Sequence, residues 1–164
     1  MVKPVVNIAD APLRDGGNST SFKAKISVMG PQIGSDMLGC MLHVVEPGEK
    51  AFPFHNHHAI HELFVILEGE GTYRFGKDEY KVKAGDVCAA PAGGPEHAHQ
   101  LRNTGDTVLK YLGISTMEDT EVVEYPDSGK FAVASRFDWS NPEGGGIRYV
   151  GRKENSLDYF EGEE

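Results

Sequence analysis

The chain of 164 residues is 39% hydrophobic and 25% charged, which is enough apolar material for one domain with a real core plus an extension. Its net charge of −9 would repel a phosphate backbone or an anionic membrane surface, so neither nucleic acid nor membrane is an expected partner. The charge is uneven: residues 1–116 carry −2, and residues 117–164 carry −7.

The opening segment, Met-Val-Lys-Pro-Val-Val-Asn, lacks the apolar run of a secretory signal, and no stretch is long enough to span a bilayer. A cytoplasmic protein is therefore expected. Cys40 and Cys88 are too few for a disulfide framework and read as small buried strand residues. Residues 1–20 read as an irregular lead-in.

No segment carries a helical period of useful length. Short apolar runs instead alternate with turn residues. They predict strands over 22–28, 37–45, 51–57, 62–67, 72–75, 79–82, 87–90, 97–102 and 108–114. Gly-, Pro-, Asn- and Asp-rich turns separate them, as at Gly76-Lys77-Asp78 and Ala84-Gly85-Asp86. Many short strands without helices indicate an all-β antiparallel sandwich or barrel, here over residues 21–116. The acidic extension, 117–164, offers strands over 131–136 and 147–150, and is expected to pack on the barrel or on a partner subunit. Pro126, Pro142 and Gly144-Gly145-Gly146 limit its core-forming power, and its last residues, 159–164, should fray.

The densest chemistry lies in Phe54-His55-Asn56-His57-His58-Ala59-Ile60-His61-Glu62, with four of the 7 histidines. On a strand, His55 and His57 project to one face, as two ligands of one metal must. Glu62 heads the next strand and shares its face with Phe64 and Ile66. A carboxylate there is costly unless it is paired or binds a cation. The fourth ligand is sought in the second histidine segment, where His97 and His99 share a face if the run is extended. Three imidazoles and a carboxylate form an open nitrogen and oxygen site for a first-row divalent metal, with positions left for water or substrate. His58 and His61 fall in the turn between ligands and are expected in solvent. His43 reads as a partnered strand histidine, and Asn103 as a turn-holding residue.

These residues resemble the two motifs of the cupin family. The first reads Gly48, His55-Asn56-His57, Glu62 and Gly69, with one extra residue between Gly48 and His55. The second reads Gly85, Pro91-Ala92-Gly93, His99 and Asn103, with three extra residues between Gly93 and His99. The resemblance covers about residues 37–116. It implies a double-stranded β-helix, or jelly roll, and the metal ligands His55, His57, Glu62 and His99. His99 is preferred over His97 because it keeps the three-residue spacing to Asn103. The metal implied is Fe, Mn, Zn or Ni.

The Glu124-Tyr125-Pro126-Asp127 phrase is similar to a sugar-phosphate-isomerase-like subgroup. The resemblance therefore implies a metalloenzyme acting on a small polar molecule, of dioxygenase or sugar-phosphate isomerase-epimerase type. The alternative is a non-catalytic, carbohydrate-like small-molecule binder. An isomerase needs a base beside the metal, and His97 is the candidate. A sugar phosphate needs Arg or Lys at the mouth, and the sequence displays no such cluster. Uncovered sheet edges and two extensions without cores of their own lead to an expected homodimer.

Overall fold

The structure, a computed structural model, describes residues 2–136 and 145–163, so the predicted Pro142 and Gly144 lie outside the described residues. Among the described residues thirteen strands follow in chain order: β1 Arg14–Gly17, β2 Lys23–Val28, β3 Leu38–Val45, β4 Asn56–His57, β5 Glu62–Glu68, β6 Glu70–Phe75, β7 Asp78–Lys83, β8 Val87–Ala90, β9 His99–Arg102, β10 Leu109–Thr116, β11 Thr120–Tyr125, β12 Lys130–Ser135 and β13 Ile147–Arg152. The only helical pieces among the described residues are short 3-10 turns. This is the all-β antiparallel barrel that the alternating apolar runs predict, in the jelly-roll form that the resemblance implies.

Three antiparallel sheets result. One runs β1-β2-β3-β10-β5-β8, one β7-β6-β9, and one β13-β12-β11-β4. The pleat sends alternate side chains to opposite faces, so Phe64, Ile66, Tyr73, Leu101, Leu109 and Tyr111 meet in the barrel interior. Gly69 turns the β5–β6 connection at φ +79, and a Cβ there would strike the Val108 carbonyl. Asn103 is buried and holds its turn as expected, donating to the Val45 and Thr107 carbonyls and accepting from the Gly105 N–H.

Two strands depart from the expected layout. Arg14-Asp15-Gly16-Gly17 has no strand-forming composition, yet it pairs with β2 as the edge strand β1. The lead-in before it places Val6, Ile8 and Ala11 against Met29 and Leu42, so it covers the outside of the large sheet. In the extension, β11 is a full strand that the acidic composition conceals. It pairs with β12, and its Val123 and Glu124 pair with His57 and Asn56 of β4. The predicted strand over 51–57 shortens to Asn56–His57, with bends through 51–54 that absorb the extra residue after Gly48. Cys40 and Cys88 are both free thiols.

Candidate metal centre

His55 and His57 remain on one side although only part of their segment is a strand. His55 is held by a lone bridge to His99, through its N–H to the His99 carbonyl and the return bond from the His99 N–H. That bridge joins the two histidine segments backbone to backbone. Glu62 comes from the first position of β5, where its neighbours Phe64 and Ile66 anchor the strand in the core.

The consequence is a convergence. One ligand atom from each of His55, His57, Glu62 and His99 lies within 4.8 Å of the others. Glu62 Oε2 is 3.0 Å from His99 Nε2, 3.3 Å from His57 Nε2 and 3.9 Å from His55 Nε2. Backbone carbonyls fix two of the rings from behind. His55 Nδ1 is 2.8 Å from the Pro53 oxygen, and His99 Nδ1 is 3.2 Å from the His97 oxygen. An outward contact at Nδ1 on each ring leaves Nε2, the atom facing the carboxylate, as the one that would bind a metal. His57 Nδ1 is buried with no hydrogen-bond partner among the described residues and lies 4.0 Å from Glu121 Oε2.

Burial, and then the neighbouring His99 and His57, push the His55 imidazole down to about 3, against the pull of Glu62. Burial would raise the Glu62 carboxyl. The hydrogen bonds and charge of the surrounding histidines outweigh it and hold Glu62 well below the usual carboxylate range. A neutral imidazole and an ionised carboxylate are the forms that bind a divalent cation. The donor set therefore fits a first-row metal.

His97 is placed differently from the expected shared face. The extra residues after Gly93 form a 3-10 turn, Pro95–His97, so His97 is not on the strand that carries His99. Its ring lies against Phe75 with Nδ1 3.0 Å from the Ala92 oxygen, and it contributes its backbone carbonyl to His99. His58 and His61 are exposed, as expected. His43 is buried and stacked on Tyr111 at 4.4 Å, and its Nδ1 has no hydrogen-bond partner among the described residues.

Residues from the extension surround the centre, and sequence reasoning missed them. Glu121, only 7% exposed, accepts from the N–H groups of His58 (2.8 Å), Ala59 (3.3 Å) and Ile60 (2.7 Å). It thus caps the turn that separates the His57 and Glu62 ligands. Glu124 contacts both Asn56 and His58. The Tyr125 ring stacks 6.3 Å from His55. Arg74 grips Asp127 through two hydrogen bonds of 2.7 and 3.0 Å and covers the Phe54 ring at 3.5 Å, fastening the β11–β12 turn to the barrel. The signal available was the strand-like Thr-Glu-Val-Val-Glu-Tyr run, with Glu121 where an inward residue would fall.

A jelly-roll barrel with a three-histidine, one-carboxylate cluster at its mouth defines a class of small barrel proteins. Comparison with known proteins identifies a domain within the chain: residues 41–115 match the family described as Cupin domain. A solved structure described as a sugar phosphate isomerase from a cupin superfamily, from Silicibacter pomeroyi, matches 95% of this chain and 98% of its own at 25% identity, with a TM-score of 0.79. An uncharacterized protein of Methanocaldococcus jannaschii is 34% identical over 85 residues, which is 49% of this chain and 65% of that protein. An oxalate-binding protein of Thermotoga maritima is 34% identical over 68 residues, 42% of this chain and 54% of its own length. The chain thus spans less than two thirds of either of these two relatives. No helix among the described residues is long and apolar enough to cross a membrane.

Proposed function

We propose that this cupin is a metal-dependent enzyme of isomerase type acting on a small hydroxycarbonyl compound, with His55, His57, Glu62 and His99 as ligands of an Fe, Mn, Zn or Ni ion. The single observation that carries the reading is the convergence of those four ligand atoms within 4.8 Å, with supporting hydrogen bonds behind two of the rings. A divalent ion there supplies Lewis acidity toward a carbonyl oxygen. The chain's own part is to hold the ligands in their binding tautomers and to wall the mouth with Tyr125 and the β11–β13 sheet.

The same donors would also serve iron and dioxygen. The end-to-end likeness to the Silicibacter protein, extension included, favours the isomerase over that dioxygenase reading. A second reading, a non-catalytic binder of a small polar molecule, draws support from the oxalate-binding relative. Association as a homodimer through the exposed apolar residues Met37, Leu38 and Val87 belongs to the same proposal. Sedimentation as a monomer alone at micromolar concentration would refute that part.

The test is metal content by mass spectrometry on untagged protein purified without a nickel column, beside Glu62→Ala and His99→Ala, followed by an aldose–ketose interconversion panel. About one metal per chain, lost in both variants, with metal-dependent turnover, is the expected result. Metal with saturable binding but no turnover on any substrate favours the binder. Wild type that takes up no stoichiometric metal even after reconstitution overturns both forms of the site.

A further inference from the structure

The five basic residues of the extension are Lys130, Arg136, Arg148, Arg152 and Lys153, scattered through a segment of net charge −7. Strand pairing gathers three of them. In the β11–β12–β13 sheet, Tyr125 lies directly opposite Lys130, and Lys130 directly opposite Arg152. Residues directly opposite on antiparallel strands project to one face, so a single row crosses the sheet from Tyr125 to Lys130 to Arg152. Arg148, four residues before Arg152 on β13, has the same parity and hence the same face. Lys130 Nζ sits 5.0 Å above the Tyr125 ring. That same tyrosine ring stacks toward His55 of the metal cluster.

Two features make this row unusual for a solvated surface. Like charges directly opposite one another on paired strands destabilise a sheet, and Lys130 and Arg152 are such a pair. Neither has a carboxylate within ion-pair distance among the described residues, although the segment is rich in acids. Glu124 instead pairs with His58 and lies 3.8 Å from Lys153, and Asp127 is taken by Arg74. A bound anion between the bases removes the repulsion, and the Tyr125 hydroxyl adds a donor. Several cationic donors from different strands suit a tetrahedral dianion better than a planar monoanion.

We propose that Lys130, Arg148 and Arg152, with Tyr125, seat the phosphate ester of the substrate, whose remaining carbons extend past Tyr125 to the His55, His57, Glu62 and His99 cluster. This deepens the isomerase reading and rests on it for the substrate's reacting end. The anion seat itself does not depend on the metal.

The test uses the full chain and inorganic phosphate as the probe, titrated calorimetrically at low ionic strength after chelation with EDTA. Saturable binding is expected. Lys130→Ala and Arg148→Ala should each weaken it about tenfold or more, as loss of a charge-assisted contact does. Lys130→Arg should retain it and so separates charge from folding defects. Lys25→Ala, on β2 with its partner Asp15, should leave it unchanged. In metal-loaded protein, fructose 6-phosphate should bind more tightly than fructose, and the difference should vanish in Lys130→Ala.

Phosphate that binds only when metal is present, or equally well to a folded Lys130→Ala, overturns the seat. Acetate or malonate binding as tightly as phosphate overturns its assignment to a phosphate ester. Failure of the wild type to hold metal, with phosphate binding intact, sinks the isomerase reading and spares the seat.

Discussion

Removal of the Glu121 carboxylate tests whether the extension is part of the metal centre. Glu121 is buried and spends its two oxygens on three backbone N–H groups of the 58–60 turn, two of them at 2.8 and 2.7 Å. Hydrogen bonds to a charged group contribute about 1.5–3 kcal/mol each. His58 and Ala59 are exposed, so water can recover part of the loss. The low end for the two short bonds gives about 3 kcal/mol for Glu121→Ala. For a chain of this size that lowers Tm by roughly 6–12 °C.

The local effect is more telling. The turn separates His57 from Glu62, and the loss of supporting contacts around metal ligands typically costs about 10–100-fold in metal affinity. Glu121→Gln keeps the shape but sets an amide donor against backbone donors, so it should fall in the same direction. The assay is thermal unfolding of metal-free protein beside competitive chelator titration of metal-loaded protein. A Tm within about 2 °C of wild type would refute the capping role. A large fall in Tm with unchanged metal affinity would show that the extension merely adheres to the barrel.

Two other outcomes follow from the geometry. Arg74→Ala should destabilise the protein by about 1–2 kcal/mol, since it loses a half-exposed bidentate pair with Asp127 and a cation–π contact with Phe54. Arg74→Lys should recover only part of this, because an ammonium cannot make both carboxylate bonds, and a double-mutant cycle with Asp127→Ala that shows no coupling would contradict the clasp. His43 bears on acid stability: burial pushes its imidazole from 6.5 down to about 4, against the nearby Glu62 charge. Its folded value lies below its unfolded one, so its contribution is complete above pH 6.5 and is lost as pH falls toward 4, by about 1.4 kcal/mol per pH unit. His43→Phe should flatten that part of the stability profile measured by denaturant unfolding from pH 7 to pH 4, and an unchanged slope would place the titration elsewhere.

The parts of this molecule legible in its sequence are those that local spacing encodes. His55 and His57 are two residues apart, Glu62 begins an apolar alternation, and His99 keeps its distance from Asn103, so the ligands could be read without knowing any long-range pairing. The barrel strands were legible for the same reason, since a period of two is a local property. His97 falls outside the strand of His99 because Pro95–His97 curl into a 3-10 turn, and a turn breaks the parity on which a shared face depends. β1 was invisible because Gly16 and Gly17 carry no strand preference. Its pairing comes entirely from β2. β11 was hidden by its acids: Glu121 breaks the rule that inward residues are apolar, and it can do so because three N–H groups wait for it.

The cationic row was illegible for a different reason. Lys130, Arg148 and Arg152 are spread along the chain among acids; only the register of two strand pairs sets Lys130 and Arg152 in one row with Tyr125, and parity puts Arg148 on the same face. No scan for basic clusters along a sequence can find such a group, so the absence of a run of Lys and Arg says nothing about anion binding in a β-sheet protein. The two halves of this site then carry separable work. The barrel strands hold the ligand atoms through short-range geometry and the core beneath them, and they set which metal chemistry is available. The β11–β13 sheet supplies Tyr125 and the bases, and it joins the barrel through Glu121, Glu124 and Asp127. Those joints are on β11 and its turn, whereas Arg148 and Arg152 are on β13, with β12 and β11 between them and β4. Changes on β13 can therefore alter what binds at the mouth while leaving the metal ligands and their supporting hydrogen bonds in place.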